Sequence, residues 1–309
     1  MKSSCAPGKI ILFGEHAVVY GRPALAVPVL EVQACAQVAQ GTSGGIRISS
    51  AEVGLDADLN ALPADHPLAA VVHNLLFSLG VTPFPALDIH ITSTIPVASG
   101  LGSGAAVSVA LVRALSEYLG HPLSDELVNA FAFEIEKLHH GSPSGIDNTV
   151  ITYARPVYFI KGLAPERLAV EKPFTLVIGD TGIPAPTKES VAGLRRLWES
   201  DRGRWEAVFD EVGSIVEQAR EETKSGRPAN MGGLMDRNHR LLQEMTVSSP
   251  ELDGLVEAAR AAGALGAKMS GGGRGGNMIA LAGAEQAGAV AEALRRAGAK
   301  RVIVSTVMP

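Results

Sequence analysis

The sequence has little cysteine and no concentration of positive charge. Cys5 and Cys35 are the only cysteines among 309 residues. Two cysteines are too few for a disulfide framework or a cysteine-rich zinc site, so we expect two buried thiols in a reducing, cytoplasmic setting. The formal net charge is −5, and the Lys and Arg residues are scattered along the chain. This distribution lacks the basic surface of a nucleic-acid-binding protein.

Long hydrophobic runs are also missing. The longest uncharged stretch lies between Asp88 and Arg113, and Pro96 and several glycines interrupt it. A membrane-spanning helix needs about 20 apolar residues. The apolar run of residues 10–13 ends at Glu15, before it reaches the length of a signal peptide. We therefore expect no contact with a membrane.

The composition nevertheless supports a large folded core. Hydrophobic residues make up 46% of the chain, and the length favours two domains. The sequence pattern changes near residue 172, which predicts domains at 1–172 and 173–309. Mixed helix and strand signals with no internal repeat predict an α+β fold.

Apolar periodicity predicts the main elements. The predicted helices cover residues 67–79, 105–119, 124–139, 231–244, 251–262 and 285–296. The predicted strands cover residues 87–95, 174–180, 277–281 and 301–307, and residues 9–39 are expected to form strands and turns.

A first glycine-rich segment, ASGLGSGAAVSVA, occupies residues 98–110. Small residues that enter a helix let backbone N–H groups approach an anion, and the helix dipole favours negative charge there. The segment lacks the Lys of a Walker A loop and does not complete a dinucleotide-binding fingerprint. It indicates either a phosphate site or a tight turn that allows close helix packing.

A second segment, FEIEKLHHGSPSGIDN, occupies residues 133–148. We expect Glu136 near the end of a helix and Asp147 in the loop that follows. Two carboxylates at this separation could hold Mg²⁺ and accept an alcohol proton. The alternative is an exposed helix face followed by a capped turn.

A third segment, KMSGGGRGGNMIAL, occupies residues 268–281 and carries Arg274 among its glycines. So many glycines indicate positive φ angles or close approach to a ligand such as phosphate, although a flexible hairpin tip would use the same residues. Near the N-terminus, Lys9, Glu15 and His16 add polar groups that would be surface residues if they stood alone.

Together, these segments resemble the motifs of a kinase superfamily. In chain order, PGKIILFGEHAVVYGRPA, GLGSGAA, HGSPSGIDN and KMSGGGRGG are similar to motifs of the galactokinase, homoserine kinase, mevalonate kinase and phosphomevalonate kinase (GHMP) superfamily. The resemblance covers residues 7–281, and GEHAVVYG with PSGIDN is most similar to the mevalonate kinase family. It implies an N-terminal domain like domain 2 of ribosomal protein S5 and a ferredoxin-like C-terminal domain.

The resemblance also implies roles for individual residues. Asp147 matches the catalytic base, Lys9 the residue that orients the acceptor hydroxyl, and Glu136 the carboxylate that holds Mg²⁺. The substrate-contacting positions correspond to Glu15, His16 and Thr187. The positions that bind ATP correspond to Pro96, Ser99, Gly100, Leu101, Gly102, Ser103, Gly104, Ala105, Gly272 and Gly273.

Three positions depart from the family pattern. The family usually reads GLGSSAA, where the second serine supplies a hydroxyl to Mg²⁺, but this chain has Gly104. Either Ser103 or water is then expected to complete the metal shell. Arg274 and Asn277 stand where small residues are usual, and Arg274 could either contact a phosphate or face solvent.

The implied activity is transfer of the ATP γ-phosphoryl group to the C5 hydroxyl of mevalonate, with Mg²⁺. Two alternatives stay open: a kinase of the same superfamily for another small alcohol, such as phosphomevalonate or a sugar, and a non-catalytic sensor of ATP or a metabolite. By resemblance alone, the expected assembly is a homodimer.

Overall fold

The chain packs into two compact units whose segments interleave along the sequence. The computed structural model describes residues 1–42, 44–63, 65–96, 99–140, 143–185 and 187–309, without the side chains of His139 and His140. Ala98, Gly141 and Ser142, which belong to the segments analysed above, lie outside this description. The first unit comprises Met1–Gly8, Val32–Val97 and Gly102–Ala154, and the second comprises Lys9–Glu31, Ala98–Leu101 and Arg155–Pro309. The predicted domain boundary after residue 172 stays a prediction.

Two long strands, β1 (Lys2–Phe13) and β2 (Ala24–Gln40), pair with each other and run through both units. The remaining elements of the first unit are β3 (Ile46–Ser50), β4 (Leu55–Asp58), α1 (Pro67–Ser78), β5 (Leu87–Ser93), α2 (Ser103–Tyr118), α3 (Asp125–His140) and α4 (Ile146–Tyr153). Strand β5 is antiparallel to β2 and parallel to β3, and β3 is antiparallel to β4.

The core of the first unit follows directly from its sequence pattern. In β5, alternate residues Leu87, Ile89 and Ile91 are buried, as expected for a strand with one face towards a core. Helix α2 buries Val109, Val112 and other residues at helical spacing. Helices α3 and α4 pack against α2, so the elements that carry Glu136 and Asp147 contact one core helix.

The second unit contains β6 (Val157–Phe159), β7 (Glu166–Arg167), β8 (Phe174–Asp180), α5 (Thr187–Ser200), α6 (Arg202–Lys224), α7 (Met231–Glu244), α8 (Pro250–Ala261), β9 (Gly266–Ser270), β10 (Asn277–Ala282), α9 (Ala287–Arg296) and β11 (Arg301–Val307). Its four-stranded antiparallel sheet has the order β11-β8-β10-β9. All residues of β9 and β10 are buried, and helices α7 and α8 pack against β9.

The observed elements confirm the predicted helices and strands to within a few residues at each end. The mixture of helices with largely antiparallel sheets confirms the α+β fold class. No helix in the described ranges is long and apolar enough to cross a membrane.

The expectation of two free thiols is wrong. Cys5 and Cys35 lie on the paired strands β1 and β2 and form a disulfide. The sequence could not indicate this bond, because it depends on the register of two strands rather than on the spacing of the cysteines. The cytoplasmic assignment loses the support that it drew from cysteine usage.

Candidate active site

The first glycine-rich segment leads into the N-terminus of helix α2, as predicted. Gly102 precedes the helix with φ 76°, a left-handed conformation that glycine adopts without steric cost. Ser103 and Gly104 then supply the first helical residues, with Gly104 exposed, and Ala105 turns into the core. The free N–H groups of this helix end and its dipole favour an anion such as phosphate.

Glu136 of α3 lies beside this helix end and is buried. A Cβ atom at position 104 would lie 3.6 Å from Glu136 Oε1, which is an ordinary van der Waals contact. The position that lacks the serine of the GLGSSAA pattern therefore faces the carboxylate that the resemblance assigns to Mg²⁺.

The carboxylate of Glu136 beside the N-terminus of α2 fits a magnesium ion that is shared with a nucleotide. No group of three His, Cys, Asp or Glu side chains that could hold a metal occurs within the described ranges. Mg²⁺ bound with ATP usually takes one or two protein carboxylates and completes its shell with phosphate oxygens and water. One buried carboxylate next to a helix N-terminus matches that requirement.

Asp147 lies in the first turn of helix α4, so the expectation that it belongs to a loop is wrong. Gly145, with φ 91°, ends the preceding loop and allows the helix to begin at Ile146. The amide of Asn148 donates to Asn129 Oδ1 at 2.6 Å, which ties this first turn to α3. The Asp147 side chain is partly exposed on this turn.

In the second unit, Lys9 is buried, with 4% of its surface exposed. Its backbone N–H donates to the carbonyl of Leu101 at 3.0 Å, which brings β1 next to the segment Ser99, Gly100 and Leu101. Burying a lysine is costly unless it is paired, so this residue differs from an ordinary surface lysine.

Glu15 is almost completely buried and forms an ion pair with Lys268 of β9, which is also buried. Lys268 donates a second hydrogen bond to the carbonyl of Met269 at 2.7 Å. Burial lowers the pKa of Lys268, and the Glu15 charge acts in the opposite direction. Within the described ranges, Glu15 Oε2 is buried and has no hydrogen-bond partner, so it can accept from a ligand.

Lys268 is a residue of the site that the sequence did not predict. The only signal was its position in an otherwise small and apolar stretch, at the start of the third glycine-rich segment. A lysine there has to find a buried partner or reach solvent, but nothing local indicates which partner it finds.

His16 is buried, and its Nε2 lies 3.1 Å from the carbonyl oxygen of Gly272. A carbonyl only accepts, so Nε2 carries the proton in this contact. Desolvation by burial lowers the pKa of His16 to about 4, while the bond to Gly272 opposes that change. The ring is therefore neutral at pH 7 and Nδ1 is an acceptor, and this atom has no partner among the described residues.

Thr187 begins helix α5 beside the third glycine-rich segment. A Cβ atom on Gly272 would collide with the Thr187 side chain, and one on Gly273 would collide with the carbonyl of Val247. Gly273 also has φ 77°. Glycine is needed at both positions because the backbone approaches its neighbours too closely for any side chain.

The other end of this segment contacts Ser99, one of the positions that the resemblance assigns to ATP. The amide of Asn277 donates to the carbonyl of Ser99 at 2.5 Å, and a Cβ on Gly276 would lie 3.1 Å from the same oxygen. The loop thus contacts Ser99 at one end and His16 with Thr187 at the other.

The two units divide the predicted site residues between them. Contacts within the second unit join His16 and Thr187 to Gly272, and Lys9 to Leu101. Contacts within the first unit join Gly104 to Glu136. Lys9 belongs to the second unit and Asp147 to the first, so their pairing stays a prediction.

Comparison with known proteins identifies the family. The sequence matches the GHMP kinases N terminal domain over residues 67–155 and the GHMP kinases C terminal domain over residues 219–300. The mevalonate kinase of Pyrococcus horikoshii is 37% identical over 95% of this chain and 92% of its own length. That of Saccharolobus solfataricus is 32% identical over 99% of this chain and 96% of its own length.

Solved structures agree with this result. The crystal structure of L. major mevalonate kinase in complex with R-mevalonate superimposes with a TM-score of 0.87 at 31% identity, covering 100% of this chain and 96% of that one. The Streptococcus pneumoniae phosphomevalonate kinase in complex with phosphomevalonate and AMPPNP gives a TM-score of 0.85 at 18% identity, which shows a shared fold. It covers 99% of this chain and 100% of its own. The chain belongs to the GHMP kinase family.

Proposed function

We propose that this chain transfers the γ-phosphoryl group of ATP to the C5 hydroxyl of (R)-mevalonate, forming 5-phosphomevalonate and ADP. The observation that carries the proposal is the pair of buried acceptor atoms, Glu15 Oε2 and His16 Nδ1, in a chain whose relatives are mevalonate kinases. A substrate at these atoms must bring hydrogen-bond donors, and mevalonate has hydroxyl groups that can donate.

In the proposed reaction, Asp147 accepts the proton of the C5 hydroxyl while the oxygen forms a bond to the γ-phosphorus of ATP. The bond from that phosphorus to the β–γ bridging oxygen breaks, and ADP leaves with the electron pair. Lys9 stabilises the negative charge that develops on the acceptor oxygen. Since phosphoryl transfer has a loose transition state, positioning and charge stabilisation supply most of the rate.

The nucleotide is held by backbone N–H groups at the start of α2 and by the glycine-rich segments. Glu136, with Ser103, would hold Mg²⁺, which neutralises phosphate charge when it is bound. The burial of Glu136 beside the end of α2 supports this assignment. The homodimer stays a prediction.

A test of the proposal is an ADP-release assay of the purified chain with Mg-ATP. The acceptors are mevalonate, 5-phosphomevalonate, homoserine and galactose, with a reaction lacking acceptor as the background. Turnover with mevalonate well above background and above the other acceptors is the expected result.

Each other outcome has a definite meaning. Turnover only with another acceptor would keep the reaction type and refute mevalonate as the substrate. If calorimetry shows binding of ATP and mevalonate but the assay shows no turnover, the proposed enzymatic activity would be refuted and a non-catalytic sensor favoured.

A further inference from the structure

The third glycine-rich segment, residues 268–281, has two cations, Lys268 and Arg274. The charge of Lys268 is paired with Glu15, so Arg274 is the cation whose role needs an explanation. Its φ angle is 57°, in the left-handed region that is unfavourable for any residue with a side chain. The backbone N–H donates to the carbonyl of Val247 at 2.8 Å, which holds this conformation. A glycine would satisfy the backbone better, so the side chain is the feature that needs an explanation.

The guanidinium group lies against helix α5. Its Nε donates to the carbonyl of Thr246 at 3.3 Å, and a Cβ atom on Gly193 would lie 3.0 Å from Nη2. The side chain is therefore directed along the helix that begins at Thr187, and it is only partly exposed.

This cation has no carboxylate partner among the described residues. Other arginines, such as Arg22, Arg113 and Arg220, form ion pairs with Asp or Glu. Arg274 nevertheless follows Gly272, whose carbonyl oxygen lies 3.1 Å from His16 Nε2, by two residues, and its charge adds to the lowered pKa of the imidazole. Its two terminal nitrogens are thus available to an anion near the acceptor atoms of Glu15 and His16.

The anion is a carboxylate rather than a phosphate on two grounds. First, Ser99 is one of the positions that the resemblance assigns to ATP. The loop contacts Ser99 through Gly276 and Asn277, at the opposite end from His16 and Thr187. In addition, Glu15 and His16 offer only acceptors, which repel a carboxylate, and the Lys268 charge is already paired. A hydroxy acid bound there needs a separate cation for its acid group.

We propose that Arg274 binds the carboxylate of the acceptor through its two terminal nitrogens and so selects a hydroxy acid over a neutral polyol. The inference rests on the proposed function, since it concerns the acid group of mevalonate. A guanidinium matches a carboxylate with two parallel N–H···O bonds, which gives both affinity and orientation.

The experiment compares mevalonate with 3-methylpentane-1,3,5-triol, in which a neutral hydroxymethyl group replaces the carboxylate. Arg274→Met is expected to lower kcat/KM for mevalonate about 10- to 100-fold, as for loss of a hydrogen-bonded charge. It should change kcat/KM for the triol less than about threefold and leave the KM for ATP unaltered. Calorimetric binding of mevalonate without ATP should weaken by a similar factor.

Two further variants control for folding. Arg274→Gly removes the cation while favouring the observed φ angle, so it should reproduce the selectivity change with undiminished thermal stability. Arg295→Met removes an exposed arginine of α9 that pairs with Glu292, and it should leave both acceptors unaffected.

An equal loss of kcat/KM for mevalonate and the triol would overturn the proposal. Arg274 would then only hold residues 246–247 in place. A raised KM for ATP with unaltered acceptor selectivity would overturn it in favour of a phosphate contact. If the unaltered chain does not phosphorylate mevalonate, the proposed function fails as well, whereas turnover that Arg274→Met leaves unchanged refutes only the role of Arg274.

Discussion

The carboxylate of Glu15 and the ammonium group of Lys268 form an ion pair from which solvent is almost excluded, with side-chain exposures of 1% and 0%. The two residues are 253 positions apart in the sequence. The pair joins the segment that carries His16 to the strand that leads into the third glycine-rich segment. Because one carboxylate oxygen is held by Lys268, the other is fixed as an acceptor.

Breaking this ion pair should destabilise the fold. Lys268→Met leaves the Glu15 charge buried without a partner, for which we expect a loss of about 3–5 kcal/mol in the free energy of unfolding. The double variant Glu15→Gln with Lys268→Met should recover much of that loss, because neither buried charge remains. Urea denaturation at pH 7 measures both.

A surface lysine provides the matched control for that experiment. Lys224 pairs with Glu221 on the exposed side of α6, and Lys224→Met should cost less than about 1 kcal/mol. A similar small cost for Lys268→Met would contradict the burial of the pair.

Replacement of Asp147 tests its assignment as the catalytic base. Asp147→Asn should reduce kcat by about 10²- to 10⁴-fold, because the amide cannot accept the hydroxyl proton, with little change in the KM for ATP. Asp56→Asn, at an exposed residue that pairs with Arg47, is the control and should retain full activity. A loss below tenfold in steady-state kinetics would refute a base at this position.

Position 104 allows the magnesium assignment to be tested by gain of a ligand. Gly104→Ser adds a hydroxyl beside Glu136, where there is room for a Cβ atom. We expect the Mg²⁺ concentration needed for half-maximal nucleotide binding to fall about threefold or more. Nucleotide binding is measured by calorimetry at a series of Mg²⁺ concentrations.

Gly104→Ala shows whether an effect of Gly104→Ser comes from the added hydroxyl or from the loss of a glycine in the helix. Both substitutions remove a helical glycine and should stabilise α2 by a few tenths of a kcal/mol or more. Only the serine should alter the Mg²⁺ requirement, and equal effects from both variants would argue against a metal next to Glu136.

Acid pH should destabilise the protein through two buried histidines. The pKa of His239 is lowered to about 4, mainly by burial, against the opposing charges of Asp253 and Asp236 and with the reinforcing charges of Arg260 and Lys268. His16 has a pKa of about 4 for the same main reason, with Arg274 and Lys268 nearby. Between pH 6.5 and 4, the unfolded chain therefore binds protons at these residues that the folded chain does not.

The free energy of unfolding should then fall as the pH falls through this window, by up to about 1.4 kcal/mol per pH unit for each histidine. Urea denaturation of the unaltered chain at pH 7, 6 and 5 gives the slope. His239→Gln should make the slope between pH 6 and 5 shallower, whereas His121→Gln, at an exposed residue, should leave it unaltered. Equal slopes for all three proteins would show that His239 titrates normally in the folded state.

Much of the fold could be predicted because its signals are local. The apolar periodicity of α2, the continuous apolar runs of β8 and β10, and the glycine before α2 depend only on neighbouring residues. Asp147 shows where this reasoning fails. The glycines and prolines before it predict a loop, but only the backbone conformation of Gly145 decides where helix α4 begins.

The sequence by itself therefore determined the order of helices and strands, the glycine-rich segments and the resemblance to GHMP kinases, since each is encoded in short stretches of chain. Tertiary structure alone decided that Lys268 pairs with Glu15, that His16 is neutral with Nδ1 as an acceptor, and that Cys5 bonds to Cys35. These properties depend on burial and on contacts between distant segments. Burial sets the energetic cost of each charge, and only the folded chain brings the compensating partner within reach.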